Sequence, residues 1–291
     1  MRPVVVVGDV ATDVVAVLSG EPAPGSDRPA AIRTRGGGAG ANVAVHLGRR
    51  GVPVTFAGCV GADPAGAALV AELAAAGVDV AVRTVAGGVT GTIVSLVEPG
   101  GQRSMLADRG ANLELSPADV PSPAPSGHLH LSGYTLLDPR PRAAGLAALA
   151  AAAAAGATTS LDPASTGPLA AYGVDRWLAD TAGVTLLLPN AEEARLLTGC
   201  ADAADAARAL AERHAAVAVT LGAEGALWCA GDALVHRPAP PTAVVDTTGA
   251  GDAFTAGLLA TWLADGGADP AGLLDRGMAA AAEVVRRPGA R

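Results

Sequence analysis

The stretch DTTGAGDAFTAGLL, residues 246–259, places one acid among small residues at the start of a predicted helix. Gly249 and Gly251 permit a concave run of backbone N–H groups, and the helix dipole adds partial positive charge. The loop therefore predicts an anion site that needs no cationic side chain. Asp252 has two interpretations: it is a general base close to an acceptor hydroxyl, or it is an ordinary first-turn acid that stabilises the helix by about 0.3–1 kcal/mol.

A second glycine-rich stretch, GGGAGANVAVHLGRRG, covers residues 36–51. Residues 20–35, before this stretch, are rich in Pro, Gly and charge and are predicted to form a loop or short edge strands. A dinucleotide-binding loop must follow a strand directly, so a loop rich in Pro and Arg at this place disfavours that interpretation. A flexible turn before a helix is the second interpretation. In the third, Gly37, Gly38 and Gly40 let backbone amides approach a small polar ligand, and Asn42 offers a donor and an acceptor to its hydroxyl groups.

The elements around these stretches alternate between strands and helices. A run of valines at residues 3–8 predicts a buried first strand, and the alternation continues to the helix after Gly249. This pattern predicts an α/β fold with a mostly parallel sheet covered by helices on both faces. Residues 78–110 interrupt it with three strand-like segments, two of them joined by a turn at 99–101, and we expect these to form a β-rich insert.

Sheets of this kind bind their ligands beyond the C-terminal ends of the strands. The polar residues predicted at those positions are Asp13, Asp162, Asn190 and those of the loop before Gly249. Asp162 is either a turn acid before Pro163 or a side chain directed at phosphates.

Composition narrows the classes of function. The 291 residues are enough for one large domain with a substantial core. A net charge of -8 without a basic cluster argues against nucleic acid as a partner. The chain has no lysine, which excludes a phosphate loop of the G-x-x-x-x-G-K-[ST] type.

The cellular compartment is predicted from the cysteines and from the apolar runs. The three cysteines, Cys59, Cys200 and Cys229, are scattered, which is typical of buried residues in a reducing compartment. The start of the chain has no signal-peptide pattern, and the apolar run at 143–157 is too short to span a bilayer. We therefore expect a cytoplasmic protein without a membrane contact.

Taken together, the two glycine-rich stretches resemble the paired signatures of the PfkB/ribokinase family of small-molecule kinases. DTTGAGDAFTAGLL is similar to the C-terminal signature, and GGAGANVAVHLGRRGVPVTFAGCVGADPAG, residues 37–66, to the N-terminal one. Further matches are VVVVGDVATD, TGTIVSLVEPGGQRSMLADRGAN, PNAEEARLLTG and VTLGAEGALW. The resemblance covers residues 4 to about 289.

The resemblance implies transfer of the γ-phosphoryl group of ATP, with Mg²⁺, to a hydroxyl of a sugar or nucleoside. It implies one ribokinase-like domain over residues 1–291, with a small β-sheet lid formed by parts of 10–36 and 78–110. The lid would close to exclude water. In this family it often forms the dimer contact, so a homodimer through the lid is expected.

The resemblance also assigns the reacting groups by position. Asp252 matches the catalytic base, and the backbone of Gly249, Ala250 and Gly251 matches the anion hole. Oriented amides of this kind stabilise charge that develops on the transferred group.

The substrate-binding residues follow from the same comparison. Asp13, Gly38 and Asn42 match the sugar-contacting positions, and Gly37 lies beside them. For Asp13, an ordinary turn residue at a strand end is the alternative.

The nucleotide and metal residues are implied further along the chain. Asn190 and Glu193 match the family's N-x-x-E motif, which acts on Mg²⁺ and phosphate, with Glu193 acting through water. The same two residues fit a helix start in which Asn190 caps the helix and Glu193 reaches back to it. Thr220 and Gly222 match the edge of the nucleotide site.

A K⁺ site is the last implied feature. The backbone carbonyls of Asp246 and Thr248 would contribute to it. The chain stops at RRPGAR, short of the tail that often helps to hold the cation, so an incomplete K⁺ site is the alternative.

Three departures from the family pattern concern the substrate. Ala11 stands where ribokinases typically have Asn, and Ala39 stands where ribokinase itself usually has Lys. SGYTLL, residues 132–137, replaces the acid-containing segment that helps to hold ribose. These changes argue against ribose without affecting the phosphoryl-transfer residues.

The sequence therefore predicts an ATP- and Mg²⁺-dependent kinase for an exposed hydroxyl of a sugar or sugar-derived substrate. One alternative is a nucleoside kinase of the adenosine, inosine or pseudouridine type. The other is a non-catalytic sugar-binding sensor on the same fold, against which the intact GAGD sequence argues because a binder needs no base.

Overall fold

A computed structural model describes residues 2–21, 25–98, 103–287 and 289–291 of the chain. Its strands, in chain order, are β1 (Val4–Val7), β2 (Ala11–Leu18), β3 (Ala30–Gly37), β4 (Val54–Gly61), β5 (Asp79–Val85), β6 (Gly91–Val97), β7 (Arg103–Asp108), β8 (His128–Ser132), β9 (Thr158–Asp162), β10 (Leu186–Leu187), β11 (Ala216–Thr220), β12 (Ala226–Ala230) and β13 (Ala233–Arg237).

The helices connect these strands. They are α1 (Ala39–Gly48), α2 (Pro64–Ala75), α3 (Tyr134–Leu137), α4 (Arg142–Ala154), α5 (Thr166–Tyr172), α6 (Val174–Asp180), α7 (Ala191–Thr198), α8 (Ala203–Ala211), α9 (Ala250–Asp265) and α10 (Pro270–Val284). Short 3₁₀ helices lie at Gly110–Glu114, Pro117–Asp119 and Gly222–Glu224.

A nine-stranded sheet forms the centre, in the order β13-β12-β11-β10-β9-β8-β1-β4-β5. The pairs from β5 to β11 are parallel, whereas β12 and β13 are antiparallel. The predicted α/β fold with a mostly parallel, helix-covered sheet is confirmed. The hairpin of β12 and β13 is an addition that the sequence analysis did not identify.

Strand β1 shows why the sheet is covered on both faces. Its four valines are all buried, as expected for a parallel sheet between two layers of helices. Val4 and Val6 belong to a core with α1, α2, α9 and α10, and Val5 and Val7 belong to a second core with α4 to α8. Successive side chains point to opposite faces of a strand, so one strand supplies both cores.

A separate four-stranded sheet has the order β3-β2-β6-β7 and stands at the end of β1, because β2 follows β1 almost directly. We call these four strands the small sheet. One part of the expected insert lies elsewhere: β5 pairs with β4 in the large sheet, because α2 returns the chain parallel to β4. The predicted turn at 99–101 lies outside the described residues.

The described residues also bear on the compartment. Within the described ranges, no helix is long and apolar enough to cross a membrane. Cys59 and Cys229 are buried free thiols, and Cys200 is half-buried.

Candidate active site

Asp252 and Asn42 meet at the N-termini of α9 and α1. The side-chain amide of Asn42 donates to Asp252 Oδ2 over 2.7 Å, across 210 residues of chain. Asn42 is only 4% exposed, and its Oδ1 atom has no hydrogen-bond partner in the described part of the chain. A buried acceptor without a donor is costly, so this oxygen fits a ligand hydroxyl. The predicted base and a predicted substrate residue are therefore neighbours.

Asp246 fixes the loop that leads into α9. Its carboxylate accepts hydrogen bonds from Thr248 N (2.9 Å) and Thr248 Oγ1 (2.7 Å). The other carboxylate oxygen accepts from Gly289 N (2.9 Å). The side chain of Asp246 thus ties the loop to residues 289–291, while any contribution of its carbonyl to a K⁺ site stays a prediction.

The glycines of this loop have different environments. Gly249 has φ 74°, and a methyl group there would lie 2.5 Å from Ala290 Cβ. Nothing lies within 4 Å of the corresponding position at Gly251. Ala253 is the first residue of α9 to donate to a helical carbonyl, that of Gly249 (2.9 Å). The N–H groups of Gly251 and Asp252 therefore belong to the open first turn, where helices bind anions.

The environment of Asp252 favours its protonated form. Burial raises the pKa of Asp252 well above its usual range, although the Asn42 hydrogen bond acts in the opposite direction. The neighbouring acids that add to the rise are Asp162, Asp9 and Asp13. A carboxylate with a raised pKa is a stronger base once it is deprotonated, which suits proton abstraction near neutral pH.

Asp13 lies on β2, on the small sheet. Burial raises the pKa of Asp13 to about 6 against the opposing charge of Arg291. Asp9 and Asp246 add to that rise. Asp13 is half-buried and lies inside β2, so it is not a turn residue at a strand end; its role in substrate binding stays a prediction.

The N-terminal glycine stretch joins β3 to α1. A methyl group at Gly37 would overlap the Asp13 carboxylate, and one at Gly38 would lie 2.5 Å from the carbonyl oxygen of Asp9. Gly38 also has φ 93°, a conformation that favours glycine. These glycines make room for protein atoms, and their contact with a substrate stays a prediction.

The segment before this stretch was expected to form a loop or short edge strands, and the structure forms an edge strand. β3 runs to Gly37, so a strand does precede the glycines directly. However, β3 is an edge strand of the small sheet and pairs antiparallel with β2. A dinucleotide-binding loop requires a βαβ unit, so the dinucleotide interpretation is still disfavoured, for a different reason.

Asp9 is a site residue that the sequence analysis did not single out. It follows β1, and its carboxylate accepts from Ala39 N (3.2 Å), Gly40 N (3.4 Å) and Ser132 Oγ (3.0 Å). Arg109 Nη1 lies 3.7 Å from Asp9 Oδ2. The signal that could have found Asp9 is its place after a buried strand, the criterion that identified the other acids.

A side cavity of about 170 Å³ opens next to Asp9. The guanidinium of Arg109 lies over the ring of Tyr134, 3.7 Å from its centroid, and both residues line the cavity. Leu115 and Pro168 are among the apolar residues of its wall. The cavity therefore combines one aromatic face and one cation with apolar walls.

A larger cavity, of about 460 Å³, lies on the other side of the first turn of α9. Four predicted nucleotide or phosphate residues line it: Thr220, Gly222, Ala250 and Gly251. Its other lining residues are mainly Ala, Pro, Val, Thr, Phe and Met, and none of the lining residues has an ionisable side chain. The open space at Gly251 fits the close approach of a ligand to the backbone.

Asn190 and Glu193 begin α7. Asn190 forms an isolated parallel bridge with Thr220, which places it beside the larger cavity. Asn190 Oδ1 accepts from Glu193 N, and Glu193 Oε2 accepts from Asn190 N, both at 2.9 Å. The structure therefore forms the capping box of the alternative interpretation. A capping role does not exclude action on Mg²⁺, which stays a prediction.

Asp162 and Glu193 are the acids suited to a cation. Asp162 Oδ1 accepts from Ala164 N (2.8 Å), as a turn acid does. Burial raises the pKa of both acids, and the charge of Asp162 adds to the rise at Glu193. Among the residues described, no three His, Cys, Asp or Glu side chains converge as a metal cage. Mg²⁺ typically binds through one or two carboxylates, phosphates and water, which fits this donor set.

Comparison with known proteins identifies the family. A model of the pfkB family carbohydrate kinases matches residues 1–291. The chain belongs to this family. A fructokinase from Klebsiella pneumoniae is 36% identical over 240 residues, which cover 79% of this chain and 78% of that protein.

Solved pfkB structures and close folds agree with this assignment. An adenosine kinase from Sinorhizobium meliloti has a TM-score of 0.88 at 26% identity, covering 100% of this chain and 95% of that one. A double-mutant fructokinase from Vibrio cholerae O395, with fructose, ADP and potassium ion bound, has a TM-score of 0.82 at 27% identity, covering 100% and 94%. The predicted family, ribokinase-like fold and kinase class are confirmed.

The pfkB relatives include sugar kinases and nucleoside kinases, so both predicted substrate classes stay open. The structure brings Asp252, Asn42 and the first turn of α9 to one point between the two cavities.

Proposed function

We propose that this chain transfers the γ-phosphoryl group of ATP to a hydroxyl of a small, uncharged sugar or sugar derivative, with Asp252 as the general base. The observation that carries the proposal is the hydrogen bond between Asn42 and Asp252, next to the open first turn of α9. It places a base, a hydroxyl-binding amide and an anion-binding backbone within one small volume.

Each side chain has a distinct task in this proposal. The unpartnered Oδ1 of Asn42 accepts from one hydroxyl of the acceptor, and Asp13 binds another. The reacting hydroxyl donates its proton to Asp252, whose raised pKa allows it to keep that proton through the transfer. The N–H groups of Gly249 and Gly251 would face the charge on the transferred group, where preorganised donors act without reorganisation, whereas the predicted donor Ala250 already donates its N–H to the Thr247 carbonyl over 3.2 Å.

The nucleotide would occupy the cavity of about 460 Å³ that Thr220, Gly222 and Gly251 line. Its adenine ring would pack on the apolar walls, and its phosphates would reach the N-terminus of α9. Mg²⁺, when bound, would neutralise phosphate charge, and Glu193 and Asn190 would hold it through water. A cation there would also relieve the repulsion between Glu193 and Asp162.

Charge limits the class of acceptor. The acids Asp9, Asp13, Asp162 and Asp252 act on one another electrostatically. Arg109, the cation of the side cavity, already faces Asp9 and Tyr134. An acceptor with its own phosphate or carboxylate would be repelled, so a neutral polyol is the better fit.

A nucleoside acceptor is the second candidate, and the side cavity favours it. A cavity of about 150 Å³ holds a ring the size of benzene, so about 170 Å³ next to Asp9 has room for one planar ring. The Arg109 guanidinium, which already covers one face of the Tyr134 ring, would supply the stacking surface. The sugar ring would then keep its place beside Asp13 and Asn42.

The test is acceptor-dependent release of ADP from MgATP, with and without K⁺. The panel contains neutral pentoses and hexoses, sugar acids, sugar phosphates, and nucleosides with one-ring and two-ring bases. The Asp252→Asn variant is the matched blank. We expect turnover with neutral sugars or nucleosides and little with the acids. Specific acceptor binding without any turnover would support the sensor instead and overturn the proposal.

Two further features belong to the proposal. The carbonyls of Asp246 and Thr248 would hold K⁺, which the K⁺ arm of the panel tests.

Dimerisation would use the small sheet as a lid contact, since its exposed apolar side chains include Ile32, Met105 and Leu106. Light scattering of the wild type and of Met105→Glu should then report a dimer and a monomer. The protein would act in the cytoplasm, without nucleic acid or membrane as partner.

A further inference from the structure

Arg291 is an unusual side chain for its position. Its guanidinium is fully buried, with 0% of the side chain exposed. Its Nε lies 3.2 Å from Glu72 Oε1, but none of its three nitrogens has a hydrogen bond within the described ranges. A buried cation with so little compensation is costly, so its position requires an explanation.

Residues 289–291 are held in place from several sides. Gly289 N donates to Asp246, and the Ala290 carbonyl oxygen lies 3.0 Å from His46 Nε2. Ala290 packs against Gly249, the first residue of the predicted anion-binding segment at 249–251, here called the anion loop. The segment therefore runs from the anion loop to the small sheet, and it delivers the side chain of Arg291 there.

The guanidinium fills the space that a side chain at Gly36 would occupy, since a methyl group at Gly36 would overlap it and Glu72. The next residue, Gly37, leaves the equivalent space to the Asp13 carboxylate. Neighbouring residues of a strand face opposite sides. The Arg291 guanidinium and the Asp13 carboxylate thus lie against opposite faces of the C-terminal end of β3. Because Gly36 and Gly37 have no side chains, only the strand backbone lies between the two groups.

The charges around this pair are well defined. Asp13 is affected by Asp9 and Asp246 as like charges and by Arg291 as the opposite charge. Asp252 is affected by Asp13. Arg35, the β-sheet partner of Asp13, packs its side chain against Gly289. Besides Asp13, the charges that act on Arg291 are those of Glu72, Arg49 and Asp252.

We propose that Arg291 is a positioning residue of the acceptor site, whose buried charge keeps the Asp13 carboxylate ionised and ready to bind acceptor hydroxyls. Asp13 lies among like charges and is partly buried, and both effects favour its protonation. A protonated Asp13 carboxyl would donate one hydrogen bond, whereas the carboxylate accepts hydrogen bonds from two acceptor hydroxyls. Arg291 opposes both effects from behind the strand without occupying the acceptor space. The role in acceptor binding rests on the proposed function.

The alternative is a purely structural plug that fills the space at Gly36. A plug would need shape but no charge, and an apolar side chain would fill that space at lower cost. A plug also predicts no change in the ionisation of Asp13 when the charge is removed. The two roles are therefore separable by experiment.

The experiment titrates the Asp13 carboxyl carbon by ¹³C NMR in aspartate-labelled protein, assigned by difference with Asp13→Asn. We expect the wild-type pKa to be about 6. In Arg291→Gln it should rise by about one unit, as expected for losing a nearby opposite charge. Glu72→Gln, which removes an acid beside Arg291, should cause a smaller shift in the opposite direction. Arg287→Gln, at an exposed arginine nearby, is the control and should cause none.

Kinetics supply the second readout. The pH below which KM for the acceptor rises should move with the Asp13 pKa in each variant, whereas KM for ATP should not change. An unshifted Asp13 pKa in both Arg291→Gln and Glu72→Gln would overturn the proposal. If Arg291→Gln does not fold, Glu72→Gln decides: a lower pKa supports the proposal and an unchanged one overturns it. A shifted pKa in a protein without acceptor-dependent turnover would leave the electrostatic role standing and refute the proposed function.

Discussion

In the proposed function, the two sides of Asp252 would recognise their ligands by different means. On the nucleotide side, the cavity of about 460 Å³ has no ionisable lining residue. On the proposed acceptor side, Asp9 and Asp13 act on Asp252, and Arg109 and Arg291 are close by. One side therefore uses backbone N–H groups and apolar surface, and the other uses charged side chains.

This difference follows from what each side must recognise. Every reaction cycle uses the same nucleotide, and a helix N-terminus with bare glycines suits its phosphates without any lysine. A sugar offers only hydroxyls, which differ in position, and charged hydrogen-bond acceptors discriminate between such positions strongly. Substitutions on the acceptor side should therefore change specificity, and those on the nucleotide side should change affinity for ATP.

The largest effect is expected at the boundary between the two sides. Asp252→Asn removes the proton acceptor while keeping the shape of the side chain. It should lower kcat by roughly 10²–10⁴, the usual contribution of general acid–base catalysis. Steady-state kinetics check this, with Asp265→Asn, at the exposed end of the same helix, as the control. Near-normal turnover in folded Asp252→Asn would show that another group is the base.

A smaller loss, confined to one side, is expected at Asp13. Asp13→Ala should weaken acceptor binding by roughly 10–100-fold, the cost of about 1.5–3 kcal/mol for a hydrogen bond to a charged group. Binding of ATP should change little, because the nucleotide cavity has no contact with Asp13. Calorimetry with each ligand separates the two affinities, and Asp79→Ala at an exposed strand position is the control. A parallel loss of ATP affinity would contradict the division into two sides.

The two sides should also respond differently to pH. Acceptor binding requires ionised Asp13, whose pKa is raised to about 6. Below that pH, kcat/KM for the acceptor should fall about tenfold per unit as the proton fraction grows. The raised pKa of Asp252 contributes in the same direction, since the base must also be ionised. Binding of MgATP, measured by its stabilisation of the protein over the same range, should stay nearly constant. If kcat/KM for the acceptor and the binding of MgATP fell over the same pH range, the proposed difference between the two sides would be contradicted.

The smallest effect is expected from a matched pair of glycines on the nucleotide side. Gly251→Ala adds a methyl group to open space, so the protein should fold normally and KM for ATP should rise about tenfold, equivalent to about 1.4 kcal/mol. Gly249→Ala adds the same group at φ 74° and against Ala290. It should therefore lower the free energy of unfolding by at least about 1 kcal/mol.

Thermal unfolding and ATP titration of both variants measure this contrast. Unchanged ATP affinity in Gly251→Ala would place the phosphates away from α9. Unchanged stability in Gly249→Ala would mean that the loop can adopt a second conformation.

The sequence predicted most of the elements and the fold class, because local patterns of valine, alanine and glycine reflect strands and helices directly. It misplaced β5, since the pattern VDVAVRTV is equally compatible with either sheet and only pairing with β4 decides. It missed β12 and β13 for a related reason: a short hairpin at a sheet edge leaves a weak local signal. Whether a segment forms a strand depends mainly on its local sequence, whereas the sheet that it joins depends on pairing with distant segments.

The same limit applies to the site. Asp252 and Asn42 were identified from their motifs, but the hydrogen bond between them joins residues far apart in sequence. Gly37 was singled out from the sequence and Gly36 was not, yet both leave space for a distant side chain: that of Asp13 at Gly37 and that of Arg291 at Gly36. Arg291 itself has no motif, so only its burial shows that it belongs to the site.

The hydrogen bond between Asn42 and Asp252 also has a consequence for the nascent chain. Long-range contacts form late, and chains grow from the N-terminus at roughly 5–20 residues per second. The acceptor residues of α1 are made long before α9, so the ribosome must release nearly all of the chain before the base meets its partner. An incomplete chain that ends before α9 therefore lacks Asp252 and leaves the side-chain amide of Asn42 without this partner.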